Sequence, residues 1–192
     1  MKTIGSIGLG AMGGSYAKFL IEDNYTVYGV DPDIQNAEIF TSLGGVLLNN
    51  ISDLVDKCNV IILSLPTVPV FKEVINEIEV NGKSNVSKIL IDMNTISLDD
   101  KIETKNKLEK LNISMVDAPV SGTGAQAKVK DIVVMSSGDK IIVDECDEIF
   151  RSFSKQNIYV GDFGNGIKFK ILANLLVTVH NTVTAEALLL GQ

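Results

Sequence analysis

Positive charge is in short supply in this chain. Its 17 Lys and Arg stand against 24 Asp and Glu, a net charge of −7, which excludes the long-range attraction that nucleic acid or an anionic membrane surface requires. An anionic ligand would have to be held locally. Cysteine is equally sparse: Cys58 and Cys146 lie far apart and fit neither a disulfide framework nor a zinc spacing. They read as buried fillers in a reducing, cytoplasmic compartment. The one histidine is His180, and the Asp and Glu residues have no His or Cys beside them at ligand spacing, so no metal site is expected. No charged-then-apolar leader precedes Ile4. The longest apolar runs, around 60–65 and 171–179, fall short of a bilayer's thickness, and a soluble protein with no membrane partner is expected. Internal repeats, low-complexity tracts and Pro/Gly/Ser linkers are also missing.

What is present is a core-forming composition, 45% hydrophobic over 192 residues, enough for one domain and an appendage. Short Val- and Ile-rich runs recur at 3–7, 26–30, 60–65, 88–92, 114–117, 132–135 and 158–160, with helical segments between them. Near-continuous apolar strands such as "VIILSL" and "KILID" are expected where both faces of a sheet are covered. The fold class is therefore α/β, a doubly wound, mainly parallel sheet of the Rossmann type. The stretch "DDKIETKNKLEKL", residues 99–111, spreads Lys and Glu along a helix and reads as a solvated surface helix. From 167 to 190 neither glycine nor proline interrupts the chain, so one long C-terminal helix is expected. It would span about 36 Å. Its end, "AEALLLGQ", has nothing left in the chain to cover it, which points to a partner. Residues 1–162 are expected to form a dinucleotide-binding domain, and 163–192 a connecting helix.

Glycine is concentrated behind the first strand, in Gly8-Leu9-Gly10-Ala11-Met12-Gly13. In a strand, Gly-x-Gly-x-x-Gly, helix arrangement the first glycine permits a tight turn and the second lets a pyrophosphate approach the backbone. The third brings helix and strand close together. The helix N-terminus supplies N–H donors and partial positive charge, which is how an acidic protein can bind an acidic cofactor. The second strand ends at Asp31, eighteen residues past Gly13, where a carboxylate accepts hydrogen bonds from the adenosine ribose and repels a 2′-phosphate. No Lys or Arg lies between Lys18 and Lys57. NAD is expected over NADP; the alternative for Asp31 is a helix cap at "DPDI".

Three later stretches carry chemistry: "DMNTIS" after Asp92, "DAPVSGTG" after Asp117, and "GNGIKFKILAN" at the start of the long helix. With the glycine loop and "LSLP" they resemble the β-hydroxyacid dehydrogenase family, whose members include 3-hydroxyisobutyrate dehydrogenase and 6-phosphogluconate dehydrogenase. The resemblance implies that Leu65, Pro66 and Thr95 border the cofactor, and that Ser121, Gly122 and, in place of a usual glycine, Thr123 hold the substrate carboxylate. It implies Lys170 as the catalytic lysine and Asn174 as its supporting amide. It also implies an all-helical second domain, missing from this chain, and a homo-oligomer formed through that domain and the long helix. Asn94 stands where serine is usual, Ala173 replaces the first residue of an Asn-Asn pair, and Ala125 and Lys130 occupy places where glycine is common.

Lys170 and Asn174 are four residues apart and share a helix face. An alcohol oxidation needs a base, and bringing a lysine from its ordinary pKa near 10.4 to about 7–8 costs the ammonium roughly 3–5 kcal/mol. Partial desolvation acts in that direction. Lys168 lies about 200° away around the helix, and His180 about 15 Å further along it, which leaves His180 as a packing or interface residue. The expected function is an NAD-dependent dehydrogenase of a small 3-hydroxy acid. The alternatives are a semialdehyde or keto-acid reductase of the same family, a prephenate-dehydrogenase-like enzyme, against which "DAPVSG" and Lys170 argue, and a non-catalytic NAD-binding interaction module.

Overall fold

The computed structural model describes residues 3–81 and 87–191. In chain order the elements are β1 (Thr3–Ile7), α1 (Gly13–Glu22), β2 (Thr26–Val30), α2 (Ile34–Ser42), β3 (Val46–Leu47), α3 (Ile51–Lys57), β4 (Val60–Leu63), α4 (Val68–Asn81) and β5 (Lys88–Asp92). There follow α5 (Leu98–Glu109), β6 (Ile113–Asp117), β7 (Val120–Ser121), α6 (Gly124–Ala127), β8 (Val133–Ser136), α7 (Lys140–Glu145), α8 (Asp147–Phe153), β9 (Gln156–Tyr159) and α9 (Asn165–Leu190).

The main sheet runs β3-β2-β1-β4-β5-β6 and every pairing in it is parallel, the strand order of a Rossmann fold. Alternate residues of one strand enter different cores. Ile62 packs with Tyr16, Leu20 and Phe153 on one face, while Ile61 and Leu63 pack with Leu54, Phe71 and Leu108 on the other. This two-sided burial is why the strands read as unbroken apolar runs. Because the strands are parallel, the loops after β1, β2, β4, β5 and β6 all open at one edge, where ligands of such sheets bind.

Several expectations need correction. Strands β8 and β9 do not extend the main sheet; with β7 they form a second sheet, β7 antiparallel to β8 and β8 parallel to β9. Between β7 and β8 there are 11 residues (122–132), less than the dozen or more that a parallel crossover needs, so the chain doubles back. β3 escaped the sequence reading because it is two residues long and exposed. β4 stops at Leu63, leaving Ser64 and Leu65 in the loop. α5 is not simply solvated, since Lys101, Thr104 and Leu108 on one of its faces are buried. The apolar run 171–179, expected to be too short to span a membrane, is continuous with its neighbours in one 26-residue helix. By length and mean hydropathy alone that helix would suffice to cross a bilayer. The long helix itself is as expected, and of its residues only Gly166 and Ile167 are buried.

Candidate active site

The loop after β1 behaves as three different glycines. Gly8 has φ +89°, and a Cβ there would lie 2.2 Å from Ser64 O, so only glycine makes this turn without strain. A Cβ on Gly13 would lie 2.0 Å from Gly8 O. Gly10 differs: a Cβ would meet nothing within 4 Å, and the residue lines a cleft of about 1070 Å³. The fold has no need of a glycine there, whereas a ligand pressed against the backbone does. Asp33, Asn50, Ser97, Thr123 and Asp139 cap α2, α3, α5, α6 and α7, yet α1 carries no side-chain cap. Its N-terminus, with Ala11 and Met12, faces the same cleft, an arrangement suited to an anion. Together the open Gly10 and the uncapped α1 fit a dinucleotide pyrophosphate.

Asp31 and Asn36 line the same cleft. The capping role belongs to Asp33, whose carboxylate accepts from Asn36 N at 3.0 Å. Asp31 instead accepts from Leu9 N at 2.6 Å and Asp33 N at 2.8 Å, which fixes the carboxylate at the tip of β2 beside the glycine loop. Leu65 and Pro66 line the cleft wall. Leu9 is not in the cleft lining: its side chain is buried in the core and its N–H is donated to Asp31. Thr95 is exposed and outside the cleft lining; its neighbour Asn94 accepts from Leu65 N at 2.5 Å, which ties the two loops together.

The structure puts Ser121 at the exposed end of β7 and Gly122, also exposed, in the turn that follows it. Gly122 has φ +141°, and a Cβ there would meet Ile132 Cγ2 at 2.6 Å. Thr123 is engaged in a capping box: its hydroxyl accepts from Gln126 N, and Gln126 Oε1 accepts from Thr123 N. Lys130 adopts φ +60°, a conformation glycine would take freely, and its ammonium lies 4.6 Å from the Phe19 ring centroid.

Lys170 is half-buried on α9, and burial holds its amine below the ordinary lysine pKa. Among the described residues it has no ion-pair partner. Lys168 is exposed and lies 3.4 Å from Asn165 Oδ1. Asn174 is exposed one turn beyond Lys170, and its carbonyl accepts from Thr178 Oγ1. His180 is exposed as well. Cys58 and Cys146 are buried, neither in a disulfide, and burial pushes the Cys58 thiol up to about 11.

Sequence reasoning missed what anchors this helix. Asp117 Oδ2 accepts from Ile167 N at 2.9 Å and from Ser137 Oγ at 3.0 Å, and Ser137 Oγ in turn accepts from Gly166 N at 3.0 Å. Lys101 Nζ lies 2.5 Å from Asp92 Oδ2 and 2.9 Å from Asp117 Oδ1; the second contact is an ion pair rather than an aligned hydrogen bond. Burial alone would lower the pKa of Lys101, but the two carboxylates outweigh it and hold it above its ordinary value. The available signal was that Lys101 shares a helix face with Thr104 and Leu108.

Residues 3–161 match the family described as the NAD binding domain of 6-phosphogluconate dehydrogenase. The chain belongs to the β-hydroxyacid dehydrogenase family. Within it, the 2-(hydroxymethyl)glutarate dehydrogenase of Eubacterium barkeri is 29% identical over 98% of this chain and 63% of its own length. The mitochondrial 3-hydroxyisobutyrate dehydrogenase of Rattus norvegicus is 32% identical over 98% of this chain and 56% of its own length. Among solved structures, the Mycobacterium tuberculosis 3-hydroxyisobutyrate dehydrogenase with L-serine superposes with a TM-score of 0.92 at 27% identity, covering 97% of this chain and 64% of that one. The chain thus spans between about half and two thirds of the length of these family members.

Proposed function

We propose that residues 1–162 bind NAD and that, with the helix of residues 163–192, they form part of a dehydrogenase acting on a small 3-hydroxy acid. The observation that carries the chemistry is the half-buried amine of Lys170, its pKa lowered by burial with no ion-pair partner among the described residues. The free amine, the form that accepts a proton, is then available at a lower pH than for a solvated lysine. The substrates in the relatives' names, and the L-serine in the solved structure, share one skeleton: a primary alcohol carbon joined to a carbon that carries a carboxylate, HO–CH2–CHR–COO⁻. We assign that skeleton as the substrate class.

Bound NAD⁺ would accept hydride from the alcohol carbon. Lys170 takes the hydroxyl proton as that carbon becomes an aldehyde, and returns it in the reverse direction. Asn174 orients the amine or the reacting oxygen. Ser121 and Gly122 donate to the carboxylate, with Thr123 bounding the pocket beside them. Gly8 through Gly13 receive the pyrophosphate, Asp31 the adenosine ribose, and Leu65, Pro66 and Thr95 border the nicotinamide half. Asp31 favours NAD over NADP, because a 2′-phosphate would meet its carboxylate.

The exposed leucines of α9 are a contact surface for the remaining length that family members have, or for a second copy of the protein. Buried thiols fit a reducing compartment, which we take as the cytoplasm. The test is a steady-state assay of the complete gene product against acids of the HO–CH2–CHR–COO⁻ class with NAD and NADP. Turnover that is confined to this class and lost in Lys170→Ala supports the reading; full turnover by Lys170→Ala overturns it.

A further inference from the structure

We propose that Lys101 is a positioning residue for the reaction, acting through Asp117 on the helix that carries Lys170. The inference rests on the reading of Lys170 as the base. Asp92 and Asp117 are the last residues of β5 and β6 and are paired across the sheet. Both are fully buried, as are Lys101 and Ser137. Two carboxylates side by side without water repel each other, and the ammonium of Lys101 lies between them, 2.5 Å from Asp92 Oδ2 and 2.9 Å from Asp117 Oδ1.

Each carboxylate then holds a different wall of the site. Asp92 Oδ1 accepts from Asn94 N at 3.0 Å and Asn94 Nδ2 at 2.6 Å, and Asn94 in turn holds Leu65 N at the edge of the cleft. Asp117 receives Ile167 N directly and Gly166 N through Ser137 Oγ. Gly164, the cap residue of α9, offers no side chain, and the first-turn donors Gly166 N and Ile167 N are satisfied by residues distant in sequence. A carboxylate at this helix N-terminus also complements the helix dipole.

The result is one buried polar chain, Leu65–Asn94–Asp92–Lys101–Asp117–Ile167, from the cofactor cleft to the helix of Lys170. Lys170 does not itself line the cleft, but it lies three residues beyond Ile167 on the same helix, so the placement of its backbone follows from this chain. Without Lys101, Asp117 holds the first turn of α9 less firmly and the base loses its alignment, while the glycine loop and Asp31 keep the cofactor.

The experiment uses the complete gene product carrying Lys101→Met, Ser137→Ala and Lys170→Ala, singly and with each of the first two combined with the third. Lys101→Met is expected to lower kcat by about tenfold to a hundredfold, the range that follows from misplacing a reacting group by an ångström or less. The Kd for NAD should change by a smaller factor than kcat, because the glycine loop and Asp31 are untouched and the link to the cleft runs only through Asp92 and Asn94 to Leu65. In the Lys170→Ala background the same substitution should cost no further kcat. An equal loss in both backgrounds would show a general structural role and overturn the proposal, as would an unchanged kcat. Should Lys101→Met fail to fold, Ser137→Ala decides: it removes the acceptor of Gly166 N together with the hydroxyl's own hydrogen bond to Asp117 Oδ2, and kcat unaffected by it, or lowered equally in both backgrounds, overturns the proposal. Full turnover by Lys170→Ala alone would instead refute the base itself, an outcome distinct from these.

Discussion

Gly13 sits so close behind Gly8 that a methyl group on it would lie 2.0 Å from the Gly8 carbonyl oxygen, whereas a methyl group on Gly10 would point into open space. The two glycines therefore fail differently when substituted. Gly13→Ala should destabilise the fold by about 1–3 kcal/mol, the usual cost of overpacking, seen as a lower Tm without any ligand. Gly10→Ala should leave the apo Tm unchanged and weaken NAD binding. Equal effects of the two on Tm would mean that Gly10 serves the fold rather than a ligand.

Asp31 accepts two backbone hydrogen bonds at the tip of β2 and does not cap α2. Asp31→Ser keeps an acceptor and removes the charge. NAD binding should weaken by roughly tenfold to a hundredfold, the worth of hydrogen bonds to a charged group, while NADP binding improves. Isothermal titration with both cofactors reads this directly, and a parent protein that binds NADP more tightly would remove the assignment.

Burial lowers the pKa of Lys170, so the neutral amine becomes available at a lower pH than for a solvated lysine. For alcohol oxidation kcat should rise with pH and level off below the ordinary lysine pKa; for aldehyde reduction it should fall over the same interval, since the ammonium is then the proton donor. Lys170→Ala should abolish both limbs and lower kcat by about 10²–10⁴-fold. A pH–rate profile in each direction checks the sign.

How much of this was legible beforehand depended on whether the signal was local. The Gly8 to Gly13 spacing, the strand at 88–92 and the uninterrupted helix after Gly166 are properties of neighbouring residues, and all three stand in the structure where they were expected. The second sheet was not legible, because whether the β8 run joins the main sheet depends on how β7 turns, and a two-residue strand has no period to detect. Lys101 was misread for a related reason. Helix α5 is polar along most of its length, and the carboxylates that draw this one ammonium inward come from strand ends 9 residues before it and 16 after it. Asp31 shows the converse: two local readings competed, and only the position of Asp33 separated them.

Phe169, Ile171, Leu172, Leu175, Leu176 and the trio Leu188, Leu189 and Leu190 are each more than half exposed on α9. Replacing Leu188, Leu189 and Leu190 with Gln should reduce self-association of the 192-residue chain in analytical ultracentrifugation and leave its NAD affinity unchanged, because none of the three lines the cleft. Unchanged association would mean that these leucines contact nothing.

The buried attachment of α9 through Gly166 and Ile167 alone makes it a lever with its fulcrum in the first turn. A rigid tilt of about 5° there would carry the far end roughly 3 Å sideways and the Lys170 backbone less than ~0.5 Å, given a rise of 1.5 Å per residue. Whatever covers the leucines can thus shift through several ångströms while the Lys170 backbone stays nearly still.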